Sequence, residues 1–480
     1  MKKKFVTNLA LLLFLNLLIK PFWVFGIDRT VQNVVGAESY GFYFALFNFS
    51  LLLNIILDLG ITNFNNRNIS RNRQLLGKHF SNIIVLKFLL AIVYLFVSIA
   101  AALLWKYELK DFKLILFLVF NQFLISFILY LRSNLSGLHM FKTDSIISVL
   151  DRAIMIIICG ILLWGNVTDT PFKIEWFVYS QTVAYLLTMF VTFIIVLSKS
   201  GFLKLKFDPK FFIAILKQSY PFALLALLMA FYYRIDSVML ERLLPDGKVQ
   251  AGIYAQAFRV LDAGAMFALL FAGLLLPIFS RMIKLKEKVN QLLQLSFSLI
   301  IVPAVILGVS SYFYSDDIIY LLYKSHIPES SKIFGILMPC FIFISTTYIF
   351  GTLLTANGNL KALNIMAAIG VVLNIALNLI LIPRYFALGS AIACFITQLY
   401  AAVTQVIIAK KVFSFGFNLK LLFTAIIFFL GVVLIGLLSK DLPYTWIYSY
   451  FVMIILSIIF AFGIRLLSIK DIYQIIKFGD

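Results

Sequence analysis

The sequence predicts an all-α polytopic membrane protein of about 14 transmembrane helices. Three observations carry this. Of 480 residues, 62% are hydrophobic and 13% charged, against roughly 45–50% and about 25% in a soluble domain. The mean hydropathy, +1.01, is too high for a chain whose surface must face water. Fourteen apolar runs reach the roughly 20 residues that a bilayer crossing needs, while the ten-residue alternating segments of a membrane barrel are absent.

The runs follow one another with short connections. Span 1 is expected over 5–27. Its start, Met1-Lys2-Lys3-Lys4 before an apolar stretch, imitates a secretion signal. The cleavage candidate Val24-Phe25-Gly26 is poor, and Lys20 and Pro21 interrupt the apolar run, so an uncleaved helix kinked at Pro21 is expected. Span 2 covers 40–62 and ends on Asn54, Asp58 and Gly60; span 3 covers 80–105 and closes on Trp105. Spans 4, 5 and 6 are placed at 112–131, 146–165 and 176–198. The polar loop 199–211 divides these six from the rest. Spans 7 and 8 (212–233 and 251–279) are followed by the basic loop 280–288, then by spans 9 to 12 at 289–314, 333–356, 360–382 and 386–409. Spans 13 and 14, at 418–438 and 444–467, form a C-terminal pair. Trp23, Trp105, Trp164, Trp176 and Trp446 fall near span ends, as interface-belt residues do.

Orientation follows from the basic residues. Alternate connections hold 24 Lys and Arg on the N-terminal side and 11 on the other, which places both termini in the cytoplasm. The formal charge of +20 is therefore mostly topology, attracted to anionic membrane lipids, and not a nucleic-acid footprint. Cys159, Cys340 and Cys394 sit in apolar runs and His79, His139 and His326 lie far apart, so no disulfide framework and no metal site is expected. The phosphate-binding loop, the nucleophile elbow and the HExxH pattern are all missing. The chain reads as a non-enzyme without a cofactor; if it moves something, the energy comes from an H⁺ or Na⁺ gradient, the membrane potential or a substrate gradient.

Gly41-Phe-Tyr-Phe-Ala-Leu-Phe-Asn48 opens span 2, and Gly252-Ile-Tyr-Ala-Gln-Ala-Phe-Arg259 opens span 8. Gly, Tyr and Phe recur in the same places six spans apart, as in a parallel repeat about an axis along the membrane normal. The division expected is an N-lobe over 1–205, a C-lobe over 206–411 and an extra helix pair over 412–480.

Charges within the spans are the candidate site. A charge at the bilayer centre costs about 2.5–3.5 kcal/mol on insertion scales. Lys20 and Arg259 lie some turns deep, one in each proposed half, and suit a phosphate-bearing ligand, Arg through bidentate bonding. Arg234 and Asp236 end span 7, and Asp262 shares a helix face with Arg259. Asp58 closes span 2, where it either caps a bend or pairs with Arg67 or Arg71. Lys87 and Lys217 are expected to snorkel to the interface, and Asp151 and Arg152 to border it as structural residues. Asn48, Asn54, Gln122, Asn374, Asn378, Gln398 and Gln405 read first as helix–helix hydrogen-bonding groups.

Three stretches together carry a resemblance. Lys20-Pro-Phe-Trp-Val-Phe-Gly-Ile-Asp-Arg29 comes with Val35-Gly-Ala-Glu-Ser-Tyr-Gly-Phe-Tyr43 and Leu57-Asp-Leu-Gly-Ile-Thr-Asn63. Arg234-Ile-Asp-Ser-Val-Met-Leu240 is followed by Ala251-Gly-Ile-Tyr254 and Arg259-Val-Leu-Asp262. Leu354-Thr-Ala-Asn-Gly358 precedes Asn374-Ile-Ala-Leu-Asn378, Leu381-Ile-Pro383 and Gly389-Ser-Ala-Ile-Ala393. In this order and spacing the chain resembles the lipid-linked oligosaccharide (O-antigen, Wzx-type) flippases of the MOP superfamily. The resemblance implies two six-helix lobes around a central cationic cavity, working by alternating access, with a variable C-terminal pair. It implies a polyprenyl-diphosphate-linked glycan carried from the cytoplasmic to the outer leaflet, and polysaccharide polymerase or ligase proteins as partners. Lys20, Arg259 and Arg234 would hold the diphosphate, Pro21 would bend a gating helix, and Asp58, Asp236 or Asp262 would bind a coupling ion or neutralise a cation. A peptidoglycan-precursor flippase and a cation-coupled drug exporter share the architecture; an exporter would have acids dominating its cavity. A membrane-embedded glycosyltransferase would need a long outer loop that the sequence lacks.

Overall fold

The computed structural model describes residues 14–467 apart from 63–64, 67–68, 70–71, 166, 168, 202–206 and 414–418. The N-terminal lysines, Arg67 and Arg71 lie outside the described residues, as do Lys204, Lys206, Lys470 and Lys477. Among the described residues there are helices and no strands. An apolar chain in lipid must satisfy its backbone internally, which a helix does within one segment.

Helix α1 (14–21) continues through a π-helical segment, Phe22–Asp28, into α2, Arg29–Leu52, and a 3-10 turn, Asn54–Leu57. Then come α3 (Leu75–Leu104), α4 (Phe112–Gly137), α5 (Phe141–Trp164), α6 (Ile174–Ser200), α7 (Pro209–Leu243) and α8 (Gly247–Lys284). They are followed by α9 (Asn290–Phe313), the short α10 (Ser315–Leu322), α11 (Ile327–Leu337) and α12 (Cys340–Ala356). The long α13 (Leu360–Phe413), α14 (Leu419–Lys440) and α15 (Trp446–Gly463) complete the chain.

Eleven helices among the described residues are long and apolar enough to cross a membrane. Three more crossings come from chain reversals inside continuous helical stretches. Twelve residues of unbroken helix would be about 18 Å long. Yet the Tyr40 hydroxyl donates to both carboxylate oxygens of Asp28 at 2.9 Å, because the backbone turns at Gly36, φ +80° and ψ 169°. Residues 14–52 are thus two crossings. Likewise Ser390 Oγ donates to Asn378 Oδ1 at 2.6 Å across a break at Phe386, φ +54°, three residues after Pro383. A Cβ added at Gly389 would strike the Leu381 carbonyl, so glycine is what lets the second hairpin close. The total of fourteen matches the number of apolar runs.

Contacts group the chain into two units, Met1–Gly252 and Ile253–Asp480. In the first, α4 packs along α6, α2 along α7 and α4, and α5 along α6. Its apolar core stacks Phe80, Phe127, Tyr130 and Phe193 against Leu131, Leu135 and Ile147. The recurring glycines meet within this unit. A Cβ at Gly41 would strike the backbone of Lys248 and Gly252, and one at Gly252 would strike that of Ala37. Ala37 and Lys248 each lie four residues before their glycine, so the contact is reciprocal, as a twofold relation between the segments produces. Small residues four apart admit such backbone approach in membrane helices. In the second unit α12 packs on α13 and α9, and α14 and α15 pack on each other and on α9. Val432 and Met453 join the α9 side chains Val302, Val305 and Val309 in one core.

Candidate substrate-binding site

The candidate site in the first unit is built by the π-helical segment, α5 and α6. Pro21 has no N–H to donate to the preceding turn. The helix runs through it with φ −61° and ψ −40°, then widens to π winding over Phe22–Asp28. The Arg29 amide accordingly bonds the Val24 carbonyl, five residues back. Such insertions recur at functional sites. The expected kink at Pro21 thus takes the form of a change of winding. Trp23, read from sequence as an interface residue, is buried, stacked on Phe177 at 5.6 Å with an interplanar angle of 5°.

Span 1 lies against α5, where Asn16 Nδ2 donates to Ser148 Oγ at 3.1 Å. One, two and three turns further along α5 come Arg152, Met155 and Cys159. Arg152, expected at a membrane boundary, lies well inside α5. The helix begins at Phe141, five residues before the predicted start of the span, because Arg132 pairs with Asp144 in its first turn at 2.7 Å. Eleven residues of helix place Arg152 about 16 Å along it. Its guanidinium faces the Trp23 ring at 5.3 Å and the Tyr185 ring at 5.8 Å, and Nη1 donates to the Tyr185 hydroxyl at 3.2 Å. Lys20, half-buried one turn before Trp23, is within electrostatic reach of Arg152, Asp151 and Arg132. Among the described residues it makes no ion pair and no hydrogen bond. Beyond the π segment, Gln181 Nε2 donates to the Tyr43 hydroxyl at 2.9 Å and Gln32 Nε2 to Asp28 at 3.4 Å, tying α2 to α6 and to the buried Asp28.

Asp58 stands elsewhere in this unit and is already engaged. The 3-10 turn brings it to Lys87 of α3, whose ammonium donates to Asp58 at 2.6 Å, to the Leu57 carbonyl at 2.9 Å and to Ser126 Oγ at 3.1 Å. Lys87 is 1% exposed, so it does not snorkel, and its partner is Asp58 rather than lipid or water. The Thr62 hydroxyl also donates to Asp58. Arg234 lies over the Tyr233 ring at 4.9 Å and reaches Asn48 Oδ1 at 3.5 Å, while Asn48 Nδ2 donates to Ser237 at 2.8 Å. Asp236 is buried in α7.

In the second unit Arg259 and Asp262 are half-buried and one turn apart on α8. Asn378 Nδ2 donates to Asn374 Oδ1 at 3.1 Å, closing a buried amide–hydroxyl chain with Ser390. An apolar cavity of about 430 Å³ opens between α9, α11, α13 and α14, its walls including Tyr312, Phe313, Phe395, Phe429 and Val433. Among the described residues no His, Cys, Asp and Glu cluster could hold a metal.

The site residues read from sequence are therefore dispersed. Lys20, Asp58, Arg234 and Asp236 belong to the first unit and Arg259 and Asp262 to the second. Near Lys20 the structure places Arg152, which sequence reading left as a structural residue, and packs Trp23 and Tyr185 against its guanidinium. The signal that finds Arg152 is its depth, counted from the true helix start.

Comparison with known proteins is consistent with this architecture. The fold matches "Lipid II flippase MurJ, inward closed conformation" with a TM-score of 0.66 at 17% identity, over 94% of this chain and 98% of that one. It matches an inward-facing multidrug resistance MATE family transporter of the MOP superfamily with a TM-score of 0.60 at 15% identity, over 84% and 98% of the two chains. A MOP superfamily transporter from Pyrococcus furiosus, described as having a binding pocket of reverse polarity, gives 0.60 at 15%, over 86% and 96%. No curated protein sequence matches. These folds belong to a flippase and to transporters, not to catalysts. The family described as "Polysaccharide biosynthesis protein" matches residues 8–283, more than half of the chain, and the chain is a member of that family of multi-pass membrane proteins.

Proposed function

We propose that the protein carries a polyprenyl-diphosphate-linked oligosaccharide from the cytoplasmic to the outer leaflet of the inner membrane, by alternating access, for surface polysaccharide synthesis. Lys20 is the observation that carries this reading. It is a cation inside an apolar helix, beside further cations and without a carboxylate of its own among the described residues. Such a charge is costly in lipid and is kept where an anionic ligand offsets it. Arg259, half-buried within α8, and Arg234, at the end of span 7, are the further cations of this reading. A diphosphate suits both side chains, Arg as a planar fork and Lys as a point charge. The polyprenyl tail stays in lipid.

Energy comes from an H⁺ or Na⁺ gradient or the membrane potential. Asp58 is occupied by Lys87, and Asp236 or Asp262 either binds a coupling ion or neutralises a neighbouring cation. Polymerase or ligase proteins receive the glycan outside. The test is depletion of the protein followed by identification of lipid-linked sugars on each leaflet. A surface-polysaccharide intermediate accumulating on the inner leaflet is expected. An unchanged pool contradicts the proposal, and accumulation of the peptidoglycan precursor instead assigns the chain to that pathway.

A further inference from the structure

The geometry points to Arg152 as a second phosphate-binding cation in the first unit, so that Lys20 and Arg152 together grip the diphosphate. This rests on the proposed function and deepens it.

Arg152 has the marks of a ligand-binding arginine rather than of a neutralised one. Its nearest carboxylate, Asp151, lies 3.9 Å from Nε, too far for a hydrogen bond. Asp151 Oδ1 is instead committed to the Arg152 backbone amide at 2.8 Å. Nη1 is shared between the Tyr185 hydroxyl at 3.2 Å and the weakly accepting Met155 sulfur at 3.3 Å. Nη2 has no acceptor among the described residues, and the side chain keeps 27% exposure. One edge of the planar fork is thus available.

The surroundings fix that fork in place. Trp23 and Tyr185 both present their rings within 6 Å of the guanidinium carbon, a range in which the ring quadrupole attracts a cation. Trp23 is itself held by its stack on Phe177. A phosphate ligand held by packed neighbours loses little entropy on binding.

The charge balance asks for an anion. Of the cations near Lys20, Arg132 is spent on Asp144 at 2.7 Å. Among the described residues, Asp151 is the acid that acts on both Lys20 and Arg152, and the two cations repel each other in a medium of low dielectric. A diphosphate has oxygens enough for a bidentate bond to Arg152 and a second bond to Lys20.

Binding is measured on the full chain in detergent, with polyprenyl diphosphate, polyprenyl monophosphate and phosphatidylglycerol as separate probes. The wild type is expected to prefer the diphosphate. Arg152→Gln should weaken diphosphate binding on the order of tenfold while leaving phosphatidylglycerol binding unchanged. Arg152→Lys should keep part of the affinity and lose the preference for diphosphate over monophosphate. Asp151→Asn, which removes the competing acid and leaves Arg152 in place, should bind the diphosphate more tightly, a gain that a purely structural pair would not give. Wild-type binding in both Arg152→Gln and Asp151→Asn overturns the assignment and leaves the proposed function standing. Equal weakening for diphosphate and phosphatidylglycerol also overturns it, in favour of an ordinary lipid head-group site. A wild type that ignores polyprenyl diphosphate brings down the proposed function itself.

Discussion

Removing one partner of the Asp58–Lys87 pair should cost more than removing both. Lys87 is 1% exposed and its ammonium has three acceptors, of which Asp58 at 2.6 Å is the charged one. Asp58→Ala strands a buried ammonium on a carbonyl and a hydroxyl, a situation that costs about 3–5 kcal/mol. Lys87→Met strands Asp58 instead, but that side chain is 26% exposed and retains Thr62 as a donor. The cost should fall to about 1–3 kcal/mol, the range for a partly solvated group that loses one bond. The double variant Asp58→Ala with Lys87→Met has no charge left to desolvate and should be more stable than Asp58→Ala alone. Equilibrium unfolding of all four proteins in mixed micelles gives the coupling between the sites. Effects that add to within about 0.5 kcal/mol would show the residues to be energetically independent and would refute the reasoning.

Three further outcomes follow from the packing. Gly252→Leu should block the approach of α2 to the start of α8, since even a Cβ there would lie 2.7 Å from the Ala37 carbonyl carbon; a cysteine cross-link between positions 37 and 248 should form in the wild type and be lost in that variant. Tyr40→Phe removes a donor that reaches both oxygens of the buried Asp28 at 2.9 Å and should cost about 1.5–3 kcal/mol in the same unfolding assay. Lys440→Ala breaks a pair with Asp317 that is 42% and 29% exposed, and the stability change should stay within about 1 kcal/mol.

The crossings were legible because apolar length is a local property, readable one run at a time. The hairpins at Gly36 and Phe386 left each pair of runs distinct even where the helical hydrogen bonding hardly pauses. Partners of the deep charges were not legible. Asp58 finds Lys87 because a 3-10 turn at Asn54–Leu57 swings it toward α3, and nothing in an apolar run announces which way its last turn will face. Arg152 was misplaced by five residues of uncertainty at a helix start. That is about 8 Å of depth at 1.5 Å per residue, the difference between a boundary residue and an interior one. The recurrence of Gly41 and Gly252 was visible in sequence, but its physical reason, that each glycine makes room for the other helix, needed coordinates.

The proposed function stands on deep cations that hold a diphosphate. Its most direct test is the rate at which a fluorescent polyprenyl-diphosphate oligosaccharide crosses proteoliposome membranes containing wild type, Lys20→Ala or Arg259→Ala at matched protein density. Each substitution should slow transfer by at least about tenfold, the loss of one charge-assisted phosphate bond. Wild-type rates in both variants would contradict it.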